Sequence, residues 1–316
     1  MRKLFIILLA FLYLFGFGQT YTPIIKDKGK IVILNGKIVL SSNTLDQGLI
    51  LKLRASQISE DSLTYNSSGD LVIWSNGDTV VFDGSSELVI GNSVRTGTPT
   101  SGTIYQVLDT LGSSDTAIFN QTFTGSVGDE YFWGGVGKWY DESDSLNHAI
   151  QTTAVYQPKL LWYGSDTAQV YFDGINDYMG FNNVDLLYGK TSIYINFKLL
   201  QYRIGVTYHL IGGISSGTKY IGFYSNSLIR IESNTNNDFW LNAATVNTNV
   251  FNKLVVSSGA TTETYVNSVL RDSKSPMDNI IINKINNDLA RSNSTFKEVR
   301  LYSRTLSNRE IQILSE

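Results

Sequence analysis

Residues 139–181 read WYDESDSLNHAIQTTAVYQPKLLWYGSDTAQVYFDGINDYMGF, and this stretch decides the fold. Near its end, apolar residues lie on both sides of two turn pairs, Asp173-Gly174 and Asn176-Asp177. Turn residues between strand formers are typical of a hairpin or of a tight connection between two strands. The stretch therefore predicts β-strands that are joined by short polar turns.

Three motifs in this stretch resemble the opening of the concanavalin A-like lectin/glucanase superfamily, in its laminin-G-like jelly-roll form. Members of that family typically carry W-Y-D-x-S-G-N-x-N-x-A, then Q-P near the start of a strand, then F-D-G-x-x-D-Y. The chain departs from this pattern at residues 144–146, where the family usually has a glycine-rich turn. The positions that match are Trp139, Tyr140, Asp141, Ser143, Asn147, Ala149, Gln157, Pro158, Phe172, Asp173, Gly174, Asp177 and Tyr178.

The end of the chain extends the resemblance. Residues 297–314, KEVRLYSRTLSNREIQIL, are similar to the family's closing strand and short helix, and residues 262–270, TETYVNSVL, are similar to one of its hairpins. The resemblance covers residues 137–316 and implies an all-β fold, an antiparallel jelly-roll β-sandwich. It does not decide the function, because this fold hosts lectins, binding modules, glycosidases and structural spacers.

The composition narrows the class of partner. The chain has 316 residues, which is enough for two domains. It contains no cysteine, so neither a disulfide bond nor a thiol nucleophile is available. Its formal net charge is −3, and phosphate binding needs a basic surface, so nucleic acid is not an expected partner.

Residues 1–18, MRKLFIILLAFLYLFGFG, have the pattern of a signal peptide. Arg2 and Lys3 form a basic start before an apolar core, and Gly16 and Gly18 are the small residues before the expected cut. The alternative is an uncleaved membrane anchor, but the apolar run is short for a span of ~20 residues. We expect an exported protein, extracellular or at the cell surface, with no membrane span after cleavage.

The mature protein is expected to begin at or near Gln19. N-terminal sequencing of the exported protein should return a chain that lacks residues 1–18, because signal peptidases cut after small residues that follow the apolar core. Exported protein that still begins with Met1 would contradict this prediction.

The rest of the chain divides into three predicted parts. Residues 19–98 form a small β domain, because apolar runs flank the Asn-Gly pairs at residues 35–36 and 76–77, as in type I′ hairpins. We interpret this domain as a structural or docking module. Residues 99–136 contain a linker and strands that the sequence assigns to neither neighbour, and residues 137–316 form the jelly-roll domain.

Two local patterns support a sandwich that ends in one helix. Residues 192–197, SIYINF, alternate between apolar and polar, which predicts a strand with one face in a core and one toward solvent. Ser307 and Glu310 have the spacing of a capping box. The sequence therefore predicts a C-terminal helix whose Ile311 and Leu314 pack on a sheet.

Glycoside hydrolysis needs two carboxylates that face one sugar bond. Laminarinase-type members of the superfamily carry E-x-D-x-x-E along one strand. The only Glu-x-Asp of this chain is Glu142-Ser143-Asp144, which has Asn147 at the third position and lies in a predicted turn. We therefore predict no catalytic residue and keep a glycosidase as an alternative.

Calcium is the one cofactor that the sequence suggests. Asp173, Asn176 and Asp177 offer oxygen ligands close together in the sequence, which is the ligand type that calcium prefers. The alternative is that Asp173 and Asn176 only fix the turn through hydrogen bonds from side chain to backbone. The sequence favours the turn and leaves calcium open.

A segment rich in asparagine, residues 233–249, offers an aromatic ring among polar side chains. Sugars are bound by flat aromatic faces together with planar amide and carboxylate groups. The alternative is that Trp240 caps one end of the sandwich beside a solvated loop. The residues predicted to bind carbohydrate are Trp240, Asp238, Asn237, Asn242 and Tyr224.

Three functions remain, in order of preference. The first is an exported, non-catalytic carbohydrate-binding or surface-recognition protein, whose partner is a polysaccharide or glycoconjugate. The second is a structural or adhesive module that contacts a surface protein. The third is a glycoside hydrolase of the same superfamily.

Overall fold

The computed structural model describes residues 30–34, 37–41, 44–84, 88–111, 115–162, 164–200, 208–213, 220–225, 228–232, 238–242, 246–277, 279–286 and 292–316. Only the backbone is described at residues 30–34, 37–41, 44, 208, 224–225, 228–229, 232 and 238–242. Strands make up 54% of the structure and helices 8%, and the large sheets are antiparallel. The prediction of an all-β antiparallel sandwich is confirmed. Within the described ranges, no helix is long and apolar enough to span a membrane.

The strands are numbered in chain order. They are β1 (Lys30–Leu34), β2 (Lys37–Ser41), β3 (Leu49–Arg54), β4 (Leu63–Asn76), β5 (Thr79–Phe82), β6 (Ser93–Thr96), β7 (Tyr105–Leu111), β8 (Thr116–Phe119), β9 (Glu130–Val136), β10 (Lys138–Trp139), β11 (Ala149–Ile150), β12 (Lys159–Leu161), β13 (Gln169–Asp173), β14 (Met179–Leu186), β15 (Thr191–Leu199), β16 (Tyr208–Gly212), β17 (Tyr220–Ser225), β18 (Leu228–Glu232), β19 (Asp238–Asn242), β20 (Asn252–Ser258), β21 (Thr262–Val266), β22 (Val269–Lys274), β23 (Ile280–Ile285) and β24 (Asn293–Tyr302). The helix α1 spans Asn308–Ser315, and short 3-10 turns span Thr44–Asp46, Ala55–Gln57, Glu60–Ser62 and Ala154–Tyr156.

By their contacts, the residues group into two compact units, Met1–Gln47 and Gly48–Glu316. In the first unit, β1 and β2 form an antiparallel hairpin in which Leu34 pairs with Lys37. The predicted hairpin at this position is therefore confirmed, while its two turn residues lie outside the described ranges.

Two antiparallel sheets of the second unit form a sandwich. The small sheet has eight strands in the order β10-β11-β14-β23-β16-β17-β18-β19. The large sheet runs β22-β21-β20-β15-β24-β13-β12-β9, and β3 also pairs with β24. Their inner faces meet in one apolar core, where the Phe197 ring of the large sheet lies 5.5 Å from the Phe223 ring of the small sheet. Burial of this apolar core stabilises the packing of the two sheets.

The large sheet continues beyond β9 into a small closed barrel. The strands follow the order β9-β4-β5-β8-β7-β6, and β6 pairs back with β9. A second apolar cluster, which includes Phe82, Tyr105 and Tyr131, fills the barrel interior. The hairpin predicted near residues 76–77 is present, with Asn76 paired to Thr79. The barrel combines strands from both sides of residue 98, the predicted end of the N-terminal domain.

The strand β3 is also placed by long-range pairing. Leu51 and Leu53 pair with Leu301 and Val299 of β24, and all four side chains are buried in the sandwich core. Leucine at every second position gives β3 one apolar face, and this face is buried against the core of the sandwich. The division of the chain at residues 98 and 137 stays a prediction.

The C-terminal helix begins as predicted. The backbone N–H of Glu310 donates to the Ser307 hydroxyl, and the Glu310 carboxylate accepts from the Ser307 backbone at 2.8 Å. The hydrogen bond from Arg304 is the largest influence on Glu310 and lowers its pKa to about 2. Ile311 and Leu314 are buried, so the predicted capping box and packing are both confirmed.

Candidate functional site

The opening motif of the fold places one row of side chains on the outer face of the small sheet. Trp139 pairs with Ala149, and both are fully buried in the core. Successive side chains of a strand point to opposite faces. Lys138 and its partner Ile150 therefore lie on the outer face, together with the neighbouring Tyr140 and His148. We call the outer surface of β10, β11, β14 and β23 the β10–β11 face.

A buried carboxylate fixes the turn between β10 and β11. Asp141 accepts hydrogen bonds from the backbone N–H groups of Lys52, Ser143 and Asn147 at 2.8, 2.9 and 2.8 Å. It also accepts from the hydroxyls of Ser143 and Ser145. Burial alone would raise the pKa of Asp141, but these hydrogen bonds outweigh burial and hold it below its ordinary value. Asp141 is therefore an ionised turn anchor.

The first depression on this side of the molecule is polar and measures about 270 Å³. Gln157 is buried at its base, where it accepts from Asn66 and donates to the Gln151 carbonyl. The hydrogen bond from Ser59, followed by a smaller one from Tyr140, holds the pKa of Asp61 at the rim below its ordinary value. The lining residues are Asp61, Ser62, Thr64, Gly137, Lys138, Gln151, Thr152 and Gln157.

The second depression measures about 340 Å³ and has a mixed lining. Gly180 lies between Ile150 and Lys284 in the register of the sheet, so no side chain fills the space between those two. Asn283 is buried and donates to Asn183 at 2.7 Å. The lining residues are Leu146, His148, Ile150, Gly180, Phe181, Asn182, Asn283 and Lys284.

Aromatic rings lie between and beside the two depressions. The rings of Tyr140 and His148 meet edge to face at 5.1 Å, and the Lys138 ammonium lies 4.2 Å from the Tyr140 ring centroid. The Lys284 ammonium lies 4.7 Å from the Tyr178 ring centroid. The arrangement offers half-exposed rings next to amide, hydroxyl and ammonium groups, which are the groups that bind sugars.

His148 presents a defined hydrogen-bond donor to the second depression. Its Nδ1 accepts the backbone N–H of Asp141 at 3.0 Å. A neutral imidazole that accepts at Nδ1 carries its hydrogen on Nε2. The other ring nitrogen is therefore a hydrogen-bond donor.

The described lining of the two depressions does not include a pair of carboxylates. Asp61 is the one acidic residue among the described residues that line the two depressions. Glu142 is engaged by Arg54, whose Nε donates at 2.7 Å, and by Lys52 at 3.7 Å. Hydrolysis of a glycosidic bond requires two carboxyl groups on opposite sides of the bond.

The residues predicted as calcium ligands form a hydrogen-bonded turn. The Asp173 carboxylate accepts the backbone N–H groups of Ile175 and Asn176 at 2.7 and 3.2 Å, and the Asp177 carboxylate accepts that of Asp173 at 3.0 Å. These are the bonds of the turn alternative. Within the described ranges, no group of three or more His, Cys, Asp or Glu side chains could hold a metal ion. Calcium at Asp173, Asn176 and Asp177 stays a prediction.

The predicted sugar ligands lie at the opposite end of the small sheet. Asp238, Trp240 and Asn242 belong to β19, and the backbone register pairs Trp240 with Arg230. Tyr224 lies on β17, two strands away. Asn237 and the side chains of the other four residues lie outside the described part of the structure. Their role in binding stays a prediction.

Sequence reasoning missed the residues that form the β10–β11 face. In the sequence, Tyr140 and Tyr178 are only motif positions, and His148 carries no predicted role. The alternation of side chains along a strand could have placed two of these residues, because a buried Trp139 requires Lys138 and Tyr140 to point outward. Lys284 could not be found in this way, since its neighbourhood depends on which strand pairs with β14.

Comparisons with known proteins do not identify a family. No family model and no curated protein matches the chain. Among solved structures, the binding domain of Paraclostridial Mosquitocidal Protein 1 is 14% identical, with a TM-score of 0.44 over 57% of this chain and 50% of that chain. The botulinum neurotoxin serotype G binding domain is 12% identical, with a TM-score of 0.43 over 56% and 48%. Domain 4 of AbnA, a GH43 arabinanase from Geobacillus stearothermophilus, is 11% identical, with a TM-score of 0.37 over 53% and 81%. The chain spans about half the length of the first two structures, and similarities this low assign neither a family nor a function.

Proposed function

We propose that this protein is an exported, non-catalytic carbohydrate-binding protein built on a concanavalin A-like jelly roll, and that glycans bind to the β10–β11 face. The observation that carries the proposal is the second depression on this face together with the first depression beside its β10 edge. Tyr140 connects the two, because its hydroxyl donates to Asp61 of the first and its ring contacts His148 of the second. Its partner is a polysaccharide or a glycoconjugate. Export rests on the predicted signal peptide, which lies outside the described residues.

The chemistry of the face supports a sugar rather than an apolar ligand. Gln151, Thr64 and Asp61 around the first depression can exchange hydrogen bonds with hydroxyl groups, and Asn182 and His148 do the same around the second. The Tyr140 and Tyr178 rings are half-buried, which leaves part of each ring exposed for contact with the apolar face of a pyranose. An apolar ligand would leave these polar groups without partners.

The affinity for a short sugar should be weak. A stacked ring and a few hydroxyl pairings on an open surface yield only a few kcal/mol net, since water competes for every hydrogen bond. A dissociation constant in the range of roughly micromolar to millimolar follows. Binding to a polymer that covers both depressions should be tighter than binding to a monosaccharide.

Replacing Tyr140 with alanine is expected to weaken glycan binding by about tenfold, because stacking on an aromatic ring contributes roughly 1 kcal/mol or more. Tyr140→Phe keeps the ring and should retain most of the affinity. Tyr188→Ala removes an exposed tyrosine outside the face and is the matched control. A glycan array identifies the ligand, isothermal titration calorimetry measures the affinity, and circular dichroism confirms that each variant is folded.

Two results would contradict this location of the site. Full-strength binding by folded Tyr140→Ala would exclude the β10–β11 face. Loss of binding in Trp240→Ala but not in Tyr140→Ala would assign the site to β19, with Asp238, Asn237, Asn242 and Tyr224 as its neighbours. A chelator added to the same titration tests calcium, because loss of binding would implicate a metal held by Asp173, Asn176 and Asp177.

The same protein sample separates the alternatives. An array without a glycan hit, together with binding to a surface protein, would favour the structural or adhesive module. Release of reducing sugar from the glycan that binds would favour a glycosidase.

A further inference from the structure

The outer face of the large sheet carries an excess of positive charge. Four adjacent strands, β3, β24, β15 and β20, contain six cationic residues and a single acidic one, Glu298, whereas the whole chain has a net charge of −3. The register places them side by side, since Arg54 pairs with Glu298 and Arg300 pairs with Lys52. The cationic residues are Lys52, Arg54, Lys198, Lys253, Lys297 and Arg300.

Three of these six cations already have an ion-pair partner inside the protein. Glu142, from the turn after β10, binds the guanidinium of Arg54 and lies 3.7 Å from the Lys52 ammonium. Glu298 binds the guanidinium of Arg300 at 2.7 Å. The two carboxylates therefore pair with the two cations of β3 and with Arg300 of β24, which lie on one side of this group of six cations.

The other three cations form a lysine cluster on the opposite side. The ammonium groups of Lys198 and Lys297 lie 5.3 and 4.4 Å from the ring centroid of the same residue, Phe251. Lys253 follows on β20, where it pairs with Asn196, two residues before Lys198 on β15. Among the described residues, these three lysines make no ion pair. We call Lys198, Lys253, Lys297 and Phe251 the lysine cluster.

A β-bulge holds the cluster together. The pairing of β15 with β24 shifts between Asn196 and Phe197, so Lys297 is the extra residue of β24 between Phe296 and Glu298. The bulge turns Lys297 toward the outer face, where all three lysines are half-buried. Burial lowers the pKa of Lys198, and the positive charge of Lys297 lowers it further. Two ammonium groups held beside one ring therefore repel each other, and a bound anion would relieve that repulsion.

We propose that the lysine cluster binds the sulfate or carboxylate groups of an acidic polysaccharide. Strands lie about 4.8 Å apart, so the basic patch from β3 to β20 extends for about 14 Å, which suits a chain with an anionic group on successive sugars. The cluster lies on the large sheet and the β10–β11 face lies on the small sheet, so this site is independent of the proposed function.

Nucleic acid fits the cluster less well. The Phe251 ring is occupied by two ammonium groups, and binding of single strands relies on aromatic faces that are open to bases. The net charge of −3 also opposes the approach of a densely charged phosphate backbone.

The test uses the full mature chain and three probes, namely dextran sulfate, polygalacturonate and neutral dextran. Dextran sulfate or polygalacturonate should bind, and dextran should not. Lys198→Gln combined with Lys297→Gln should weaken binding by about tenfold and lower the slope of log affinity against log salt by about one to two. Lys190→Gln combined with Lys274→Gln removes the same charge from exposed positions elsewhere and should change the affinity by less than about twofold.

Three outcomes would overturn the proposal. Equal weakening in the two double variants would show that only the net charge matters. Binding of neither acidic polymer would exclude the site. Binding of single-stranded DNA that is as tight as binding of the acidic polymers would show that the cluster attracts anions in general and does not select acidic polysaccharides. Glycan binding that depends on Tyr140 should be unchanged in the Lys198/Lys297 double variant, so failure of one site is distinguishable from failure of the other.

Discussion

Replacing Asp141 with alanine is expected to lower the free energy of unfolding by about 4 kcal/mol, since each buried donor left without an acceptor costs about 1–3 kcal/mol. The variant leaves three backbone N–H groups and two serine hydroxyls without their shared acceptor. Urea titration followed by tryptophan fluorescence measures the change. Asp144→Ala, an exposed position of the same turn, should change stability by no more than about 0.5 kcal/mol.

The same variant also tests how the contribution of Asp141 to stability depends on pH. The pKa of Asp141 is lower in the folded protein than its ordinary value of 3.8, so the carboxylate stabilises the fold fully above that pH. The contribution is lost as the pH falls below 3.8 and through the folded-state pKa. The difference in stability between the wild type and Asp141→Ala should therefore shrink on acidification. A difference that stays small at neutral pH, or that is independent of pH, would contradict the role of Asp141 as an ionised anchor.

Replacing Gly174 with alanine is expected to destabilise the protein by about 3 kcal/mol, as the sum of backbone strain and overpacking. Gly174 has a φ of +78°, and an added Cβ would lie 2.8 Å from the backbone nitrogen of Asn293. That nitrogen cannot move aside easily, because Asn293 pairs with Asp173 in the sheet. Thermal and urea unfolding measure the loss.

Gly69→Ala is the matched control for this variant. Gly69 has nearly the same φ, +80°, but an added Cβ would meet nothing within 4 Å. It should cost only about 1 kcal/mol, from the backbone alone. Equal losses in the two variants would show that the contact with Asn293 contributes nothing.

The features that the sequence predicted are local. The capping box at Ser307 depends on a residue three positions away, and the hairpin between β1 and β2 depends on the turn between two apolar runs. The antiparallel sandwich follows from alternation along each strand. Each of these patterns is contained in a short window, so residue types and spacing are enough to find it.

The features that the sequence missed depend on which strands become neighbours. The residues around the first depression come from the 3-10 turn Glu60–Ser62, from β4, from β10 and its preceding residue, and from the segment between β11 and β12. No pattern within one of these segments indicates that the others are its neighbours. The same holds for Phe251 and Lys297, which meet only because β20 and β24 flank β15. The segment around Trp240 shows a further limit, because its composition left a solvated loop as one alternative, whereas the backbone of residues 238–242 is a strand paired with β18. Tertiary pairing overrides composition there.

The pairing of β3 with β24 also constrains the order in which the molecule can assemble. The hydroxyl of Ser303, just after β24, donates to the carbonyl of Gly48, just before β3, across 255 positions of sequence. Closing so long a loop is slow, and contacts this distant in sequence form only after both segments have been synthesised. On the ribosome, β3 emerges long before β24 and lacks this partner strand until β24 has been made. The pairing of β3 with β24 in the middle of the large sheet is therefore expected to be a late step of folding.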